Sequence, residues 1–94
     1  MYSRLFTVND VGNDESVIAQ TICSKIYVGE DRGVASWPTT SWLWRAPDAT
    51  DYITIAPGDK YCFERTGRAN FKPGDVVAYV KTAAGTTTIA QEEF

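Results

Sequence analysis

The sequence of 94 residues contains no histidine, two cysteines and one methionine. The absence of histidine excludes the Ser-His-Asp triad, a histidine general base and the two-histidine iron site of oxygenases. Two cysteines without histidine also supply too few ligands for the common zinc sites. We therefore expect a protein that has no catalytic residues and binds neither a metal ion nor another cofactor.

Clusters of positive charge and long apolar runs are missing as well. Nine Lys and Arg residues are scattered among twelve Asp and Glu residues, giving a formal net charge of −3. Binding to nucleic acid or to an anionic membrane would require a basic cluster, so neither partner is expected. No apolar segment approaches the about 20 residues of a membrane-spanning helix, and the first residues lack the apolar stretch of a signal peptide. The sequence predicts a protein made in a reducing cytosol, or assembled there into a particle that later leaves.

The two cysteines, Cys23 and Cys62, are expected to be free thiols, because disulfides are rare in proteins that are not secreted. The alternative is a bridge across a loop of about 40 residues, which would add roughly 4 kcal/mol in the chain-entropy model. Cys23 has no histidine to activate it as a nucleophile, so we interpret it as a structural residue.

A short motif, Pro-Gly-Asp, is present twice, at residues 57–59 and 73–75. Proline presets φ for a turn, glycine adopts the left-handed conformation, and aspartate can bond the nearby backbone. In the segment after each copy, bulky apolar residues recur with the strand period of two, as at Tyr61 and Phe63 in the first. The motif predicts two turns, each leading into a β-strand.

Short segments rich in β-branched and aromatic residues predict six or seven strands and no helix. They cover residues 3–8, 17–28, 41–45, 52–56, 60–66, 76–82 and 86–91. In the longest segment, 17–28, the even-numbered residues are expected to face the core. Residues 83–85 predict a hairpin with a glycine bulge between the last two strands. This pattern is typical of an all-β fold, a single-domain antiparallel β-sandwich or small barrel over residues 1–94.

Three tryptophans, Trp37, Trp42 and Trp44, lie within eight positions. Trp42 and Trp44 are two residues apart, so on a strand they share one face with their rings about 7 Å apart. Facing outward, this pair would form a platform for sugar rings or for the apolar patch of a protein partner. Facing inward, it would fill the core. Core packing, a protein interface and a carbohydrate platform all stay open.

Other candidate contact residues are Arg45 and Phe94. Arginine and the aromatic residues dominate the binding energy of protein interfaces, which places Arg45 beside the tryptophans. Phe94 follows two glutamates, and we expect it to pack on this domain or on a neighbouring subunit. The acidic residues at positions 10, 14, 15, 48 and 51 lack the spacing of a calcium loop and are interpreted as turn residues.

The segment FKPGDVVAYV and the first Pro-Gly-Asp turn stand in a short, acidic, threonine- and aromatic-rich sequence that is poor in reactive groups. In this combination the chain resembles the small all-β accessory proteins of tailed-phage virions, which are capsid decoration or cement proteins and small tail or fibre attachment modules. The resemblance implies a β-sandwich or related fold, self-association, often as a trimer, and binding to a capsid or tail surface. It assigns no role to a single residue.

We therefore expect a non-enzymatic structural protein of a virion that decorates or cements a capsid, or attaches to a tail or fibre, through an aromatic-rich patch. Its expected partners are capsid or tail proteins and further copies of the same chain. The predicted contact residues are Trp37, Trp42, Trp44, Arg45 and Phe94. The alternative is a carbohydrate-binding module that uses the same tryptophans.

Overall fold

The computed structural model describes residues 2–10, 15–30, 40–65 and 69–94. These residues contain eight strands: β1 (Tyr2–Val8), β2 (Glu15–Ile18), β3 (Lys25–Glu30), β4 (Trp42–Arg45), β5 (Ile53–Ile55), β6 (Lys60–Glu64), β7 (Val76–Thr82) and β8 (Thr87–Glu93). They form two antiparallel four-stranded sheets, sheet A in the order β1-β8-β3-β6 and sheet B in the order β2-β7-β4-β5. The all-β fold is confirmed, with eight strands rather than six or seven.

The two sheets pack through their inward faces, where period-two alternation places the apolar side chains. Along β7, for example, Ala78, Val80 and Thr82 are buried and alternate with half-buried residues. The buried apolar residues are Val8, Val17, Ala19, Cys23, Ile26, Val28, Trp42, Phe63, Phe71, Ala78, Val80 and Ile89. All eight strands therefore surround one core.

The segment 17–28 is not one continuous strand. Its first part belongs to β2 in sheet B and its last part to β3 in sheet A, and residues 19–24, the crossover segment, connect the two sheets. The prediction that even-numbered residues face the core is correct for Ile26, which is fully buried, and wrong for Ile22, which is 72% exposed. Val17, an odd-numbered residue, is buried instead.

A buried carboxylate binds the backbone where the chain changes sheet. The side chain of Glu93 accepts hydrogen bonds from the backbone N–H groups of Gln20 and Thr21 at 2.9–3.0 Å. Because these amides bond to a side chain, they are not available to a neighbouring strand. The chain pairs again at Cys23, which forms an isolated antiparallel bridge with Phe71.

Both Pro-Gly-Asp motifs form the predicted turns. Gly58 and Gly74 have φ angles of 86° and 95°, in the left-handed region that the turn requires. The turns are closed by backbone bonds, such as the one from Asp75 N–H to Lys72 O at 3.0 Å. Each turn leads into a strand as expected, but β6 lies in sheet A and β7 in sheet B.

Residues 83–85 do not form the predicted hairpin, because β7 and β8 lie in different sheets. Gly85 has the expected positive φ, 71°, but the connection is an arch that crosses the sandwich. Its backbone groups bond to other parts of the chain: Thr82 N–H donates to Asn9 O at 3.2 Å and Ala83 N–H donates to Ser41 O at 3.0 Å. These bonds replace the ladder that a hairpin would have made.

Candidate contact surfaces

Trp42 belongs to the core and is 0% exposed. Its indole N–H donates to the backbone oxygen of Asp59 at 3.3 Å, so the one polar atom of the side chain has a partner inside the fold. A fully buried ring cannot touch another molecule, and Trp42 is therefore removed from the candidate contact residues.

Trp44 lies on the same inward face, as the two-residue spacing requires. It is half-buried and packs against Tyr61 and Phe63, with ring centroids 4.8 and 4.9 Å away. Since both Trp42 and Trp44 face inward, the pair offers no outward platform for sugar rings. The third tryptophan, Trp37, lies outside the described residues.

Arg45 lies on the outer face of sheet B, because it alternates with the two inward tryptophans of β4. Its guanidinium carbon is 4.5 Å from the ring centroid of Tyr79, which is opposite Arg45 in the β4–β7 register. The same carbon is 6.0 Å from the ring of Tyr52, and Lys81 Nζ is 4.3 Å from that ring. We call these four side chains the cationic-aromatic cluster.

A hydrogen bond to the backbone holds the cationic-aromatic cluster in place. Arg45 Nη1 donates a hydrogen bond to Ala49 O at 3.1 Å, which fixes the guanidinium over the rings. All four side chains are half-buried, so each keeps an accessible surface. The cluster places two cations and two phenol rings together on the surface of an acidic protein. Of these four residues, the sequence predicts only Arg45 as a contact residue, because the other three become its neighbours only through the pairing of β4, β5 and β7.

Phe94 packs on its own domain. Its ring makes an edge-to-face contact with Tyr27, with centroids 5.4 Å apart, and its backbone N–H donates to Lys25 O at 2.9 Å. The side chain is nevertheless 52% exposed. A shallow groove of about 450 Å³, the Phe94 groove, lies here on the outer face of sheet A. It is lined by Lys25, Tyr27, Lys60, Glu92 and Phe94.

The Phe94 groove is open to solvent and is lined by both aromatic and charged side chains. Lys60 Nζ and Glu92 Oε1 form an exposed ion pair at 3.1 Å across it. Such surface pairs contribute about 0–1 kcal/mol to stability. The groove therefore has aromatic edges and a charged rim.

Glu93 and Gln91 form a buried polar network on the inward face of β8, where both residues are almost fully buried. Besides the two backbone amides, the carboxylate of Glu93 accepts bonds from Thr21 Oγ1–H at 2.7 Å and from Gln91 Nε2–H at 2.8 Å. Arg4 Nε donates to Gln91 Oε1 at 3.1 Å. Burial alone would raise the pKa of Glu93, but the hydrogen bonds from Thr21, Gln20 and Gln91 outweigh it and lower the pKa below 4.5.

Cys23 lies beside this carboxylate, with Sγ 3.6 Å from Glu93 Oε1. Burial raises the pKa of the Cys23 thiol, and the neighbouring negative charge adds to the effect. A thiol with a raised pKa is a weaker nucleophile at neutral pH, because less of it is present as thiolate. Cys23 and Cys62 are both free, as predicted.

Within the described ranges, the structure groups no three His, Cys, Asp or Glu side chains that could hold a metal ion. The same part of the chain contains no helix long and apolar enough to cross a membrane.

Comparison with known proteins gives no matching family model, no matching curated protein and no matching solved structure. A functional conclusion for this chain therefore depends on its fold and surface geometry.

Proposed function

We propose that this chain is a non-enzymatic structural protein of a virion, which decorates or cements a capsid or attaches to a tail or fibre through its outer surface. The observation that carries the proposal is the cationic-aromatic cluster on the outer face of sheet B. Arg45 lies against Tyr79, and Lys81 against Tyr52, so that cations and amphipathic rings are presented together.

Arginine and tyrosine are the residue types that dominate binding energy when they are placed in the centre of a protein interface. In the cluster they are already held in place by ring contacts and by the bond from Arg45 to Ala49 O, so little side-chain entropy would be lost on binding. Positive charge on an otherwise acidic protein favours a partner surface that carries carboxylates.

The buried polar groups of the domain also support a structural role for the protein. Glu93 and Gln91 are engaged by hydrogen bonds within the domain, and burial keeps the thiol of Cys23 protonated. These groups stabilise a rigid β-domain, which is what a contact protein needs. Many copies on one particle would convert weak single contacts into lasting attachment.

Particles that lack this chain, incubated with purified protein, provide the test. We expect the wild-type protein to co-sediment with such particles, and the double variant Arg45→Ala, Lys81→Ala to lose at least about tenfold in affinity, since two anchor side chains are removed.

The matched control is Arg65→Ala. Arg65 also lies over an aromatic ring, that of Phe71, at the same 4.5 Å distance, but outside the cluster. Arg65→Ala should bind like the wild type. Equal binding by the double variant and the wild type would contradict the assigned surface, and no binding by any form would contradict the proposed function.

A further inference from the structure

Among the described strands, β1 is the one sheet edge that has neither a short length, nor a register shift, nor an outward-facing charge. Strand β2 has four residues and a register shift between Val17 and Ile18, and β5 has only three residues. Strand β6 carries the exposed charges Lys60 and Glu64. Short length, bulges and charge are the devices by which proteins block pairing between sheet edges. Each of the three edges therefore has one of them.

Strand β1 is seven residues long and pairs with β8 without a register shift. Its outward-facing side chains are uncharged: Ser3, Leu5 and Thr7, all exposed, with Leu5 at 62%. The one charge, Arg4, points inward, a placement that can oppose pairing at a sheet edge. Its guanidinium already donates to Gln91 Oε1 and Ser16 O within the domain, so a second strand would not leave it without partners. In the described part of the chain no strand pairs with the free side of β1.

The hydrogen-bond pattern shows which amides of β1 are open. Phe94 and Lys25 exchange both backbone bonds, so the even-numbered residues at this end of β8 point toward β3. The odd-numbered residues of β8 consequently point toward β1, where they pair with the even-numbered residues from Tyr2 to Val8. The N–H and C=O groups of Ser3, Leu5 and Thr7 are left to face the free edge.

We propose that β1 pairs antiparallel with β1 of a second copy of this chain, joining the two A sheets into one continuous eight-stranded sheet. Leu5 is the midpoint of β1, so a two-fold axis at Leu5 pairs all seven residues. In this register the open groups of Ser3, Leu5 and Thr7 form about six backbone hydrogen bonds between the subunits.

The side chains of β1 are complementary to themselves in this register. Leu5 meets Leu5 of the second copy, which covers a residue that is 62% exposed in one chain. Ser3 meets Thr7, a favourable polar cross-strand pair. Arg4, whose guanidinium carbon already lies 4.5 Å from the ring centroid of Phe6 in its own chain, meets Phe6 of the second copy, so no like charges are directly opposed. One strand pair covers less than the roughly 800 Å² per partner of a standard interface, so the dimer is weak and depends on protein concentration.

Analytical ultracentrifugation from about 10 µM to 1 mM, the range of weak association, tests the proposal on the full chain. The mass of the wild type should rise with concentration toward twice the 10.4 kDa of one chain. Leu5→Lys and Leu5→Glu should each weaken dimerisation at least about tenfold, because like charges then face each other. An equimolar mixture of the two variants should dimerise again. Ile22→Lys, which changes another exposed apolar residue, should dimerise like the wild type.

Amide hydrogen exchange on the wild-type protein gives a second readout that needs no variant. The amides of Ser3, Leu5 and Thr7 should become protected as the protein concentration rises, whereas those of Arg4 and Phe6 should be protected at every concentration by β8. A wild type that stays monomeric at 1 mM, a trimer that the Leu5 variants leave unchanged, or a charge-reversed mixture that does not dimerise would overturn the proposal.

Discussion

Glu93 shows how one side chain can bind backbone that is distant in sequence. Its carboxylate accepts the backbone N–H groups of Gln20 and Thr21 in the segment where the chain passes from sheet B to sheet A. The local sequence of residues 17–28 does not predict the crossover between the sheets, because the carboxylate that binds it comes from the other end of the chain. The apolar pattern alone therefore predicts a continuous strand.

Replacing Glu93 by Gln should lower the free energy of unfolding by about 2–3 kcal/mol, the usual contribution of hydrogen bonds to a charged group. The side-chain amide of glutamine would place its own N–H donors against the backbone N–H donors of Gln20 and Thr21. Urea unfolding measures the change, and Glu92→Gln is the control, since Glu92 is half-exposed on the outer face of sheet A. A Glu93→Gln protein as stable as the wild type would show that the carboxylate is dispensable.

The same carboxylate predicts a pH dependence. Because the pKa of Glu93 in the folded protein lies below its ordinary value of 4.5, the ionised group stabilises the fold above that pH. This contribution is lost as the pH falls below 4.5 through the folded-state pKa. The unfolding midpoint should therefore fall on acidification, and Glu93→Gln should show a smaller fall. Equal pH profiles would contradict this reading.

Substitution of the buried Trp42 should destabilise the protein far more than substitution of an exposed residue. Trp42→Ala should cost about 3–5 kcal/mol, since it opens a cavity in the core and leaves Asp59 O without its indole donor. Ile22→Ala, at a site that is 72% exposed, should change stability by no more than about 0.5 kcal/mol. Urea unfolding of both variants measures the difference. A mild effect of Trp42→Ala would show that the indole does not support the core.

For the strands and turns, the sequence predicts where the turns lie. It does not predict to which of the two sheets each strand belongs. The left-handed glycines Gly58, Gly74 and Gly85 lie where the turn patterns predict them. The predicted strand segments also overlap the observed strands, except that 17–28 is divided between β2 and β3, because β-branched and aromatic residues favour extended backbone wherever they pair. Whether residues 83–85 form a hairpin or an arch depends on which groups accept the bonds of Thr82 and Ala83, and those acceptors are distant in sequence.

The second Pro-Gly-Asp turn provides a test at this scale. Gly74 has a φ of 95° and nothing within 4 Å of where a Cβ would stand, so any cost of substitution comes from the backbone conformation. Gly74→Ala should destabilise the protein by about 1–2 kcal/mol, and Gly74→Asn by less, because asparagine tolerates positive φ. Thermal unfolding of the two variants measures the order. Equal stability of the glycine and alanine forms would contradict the turn geometry.

For the whole molecule, the candidate surface could be foreseen only in part. Arg45, which the sequence predicts as a contact residue, lies on an outer face, whereas Trp42 and Trp44, two residues apart, face the core. Period two fixes which residues share a face, but the direction of that face is decided by how the sheets stack. Tyr52 and Tyr79 belong to the candidate surface only because the pairing of the strands brings their rings beside Arg45.

We propose that the protein belongs to a virion, where it acts by contact through the exterior of a two-sheet domain. Quantitative mass spectrometry of purified virions from the host that produces this chain tests that assignment most directly. We predict that the chain is present in many copies per particle, in a fixed ratio to a capsid or tail protein. Its absence from the purified particles, together with its presence in the soluble fraction of the same cells, would contradict the assignment.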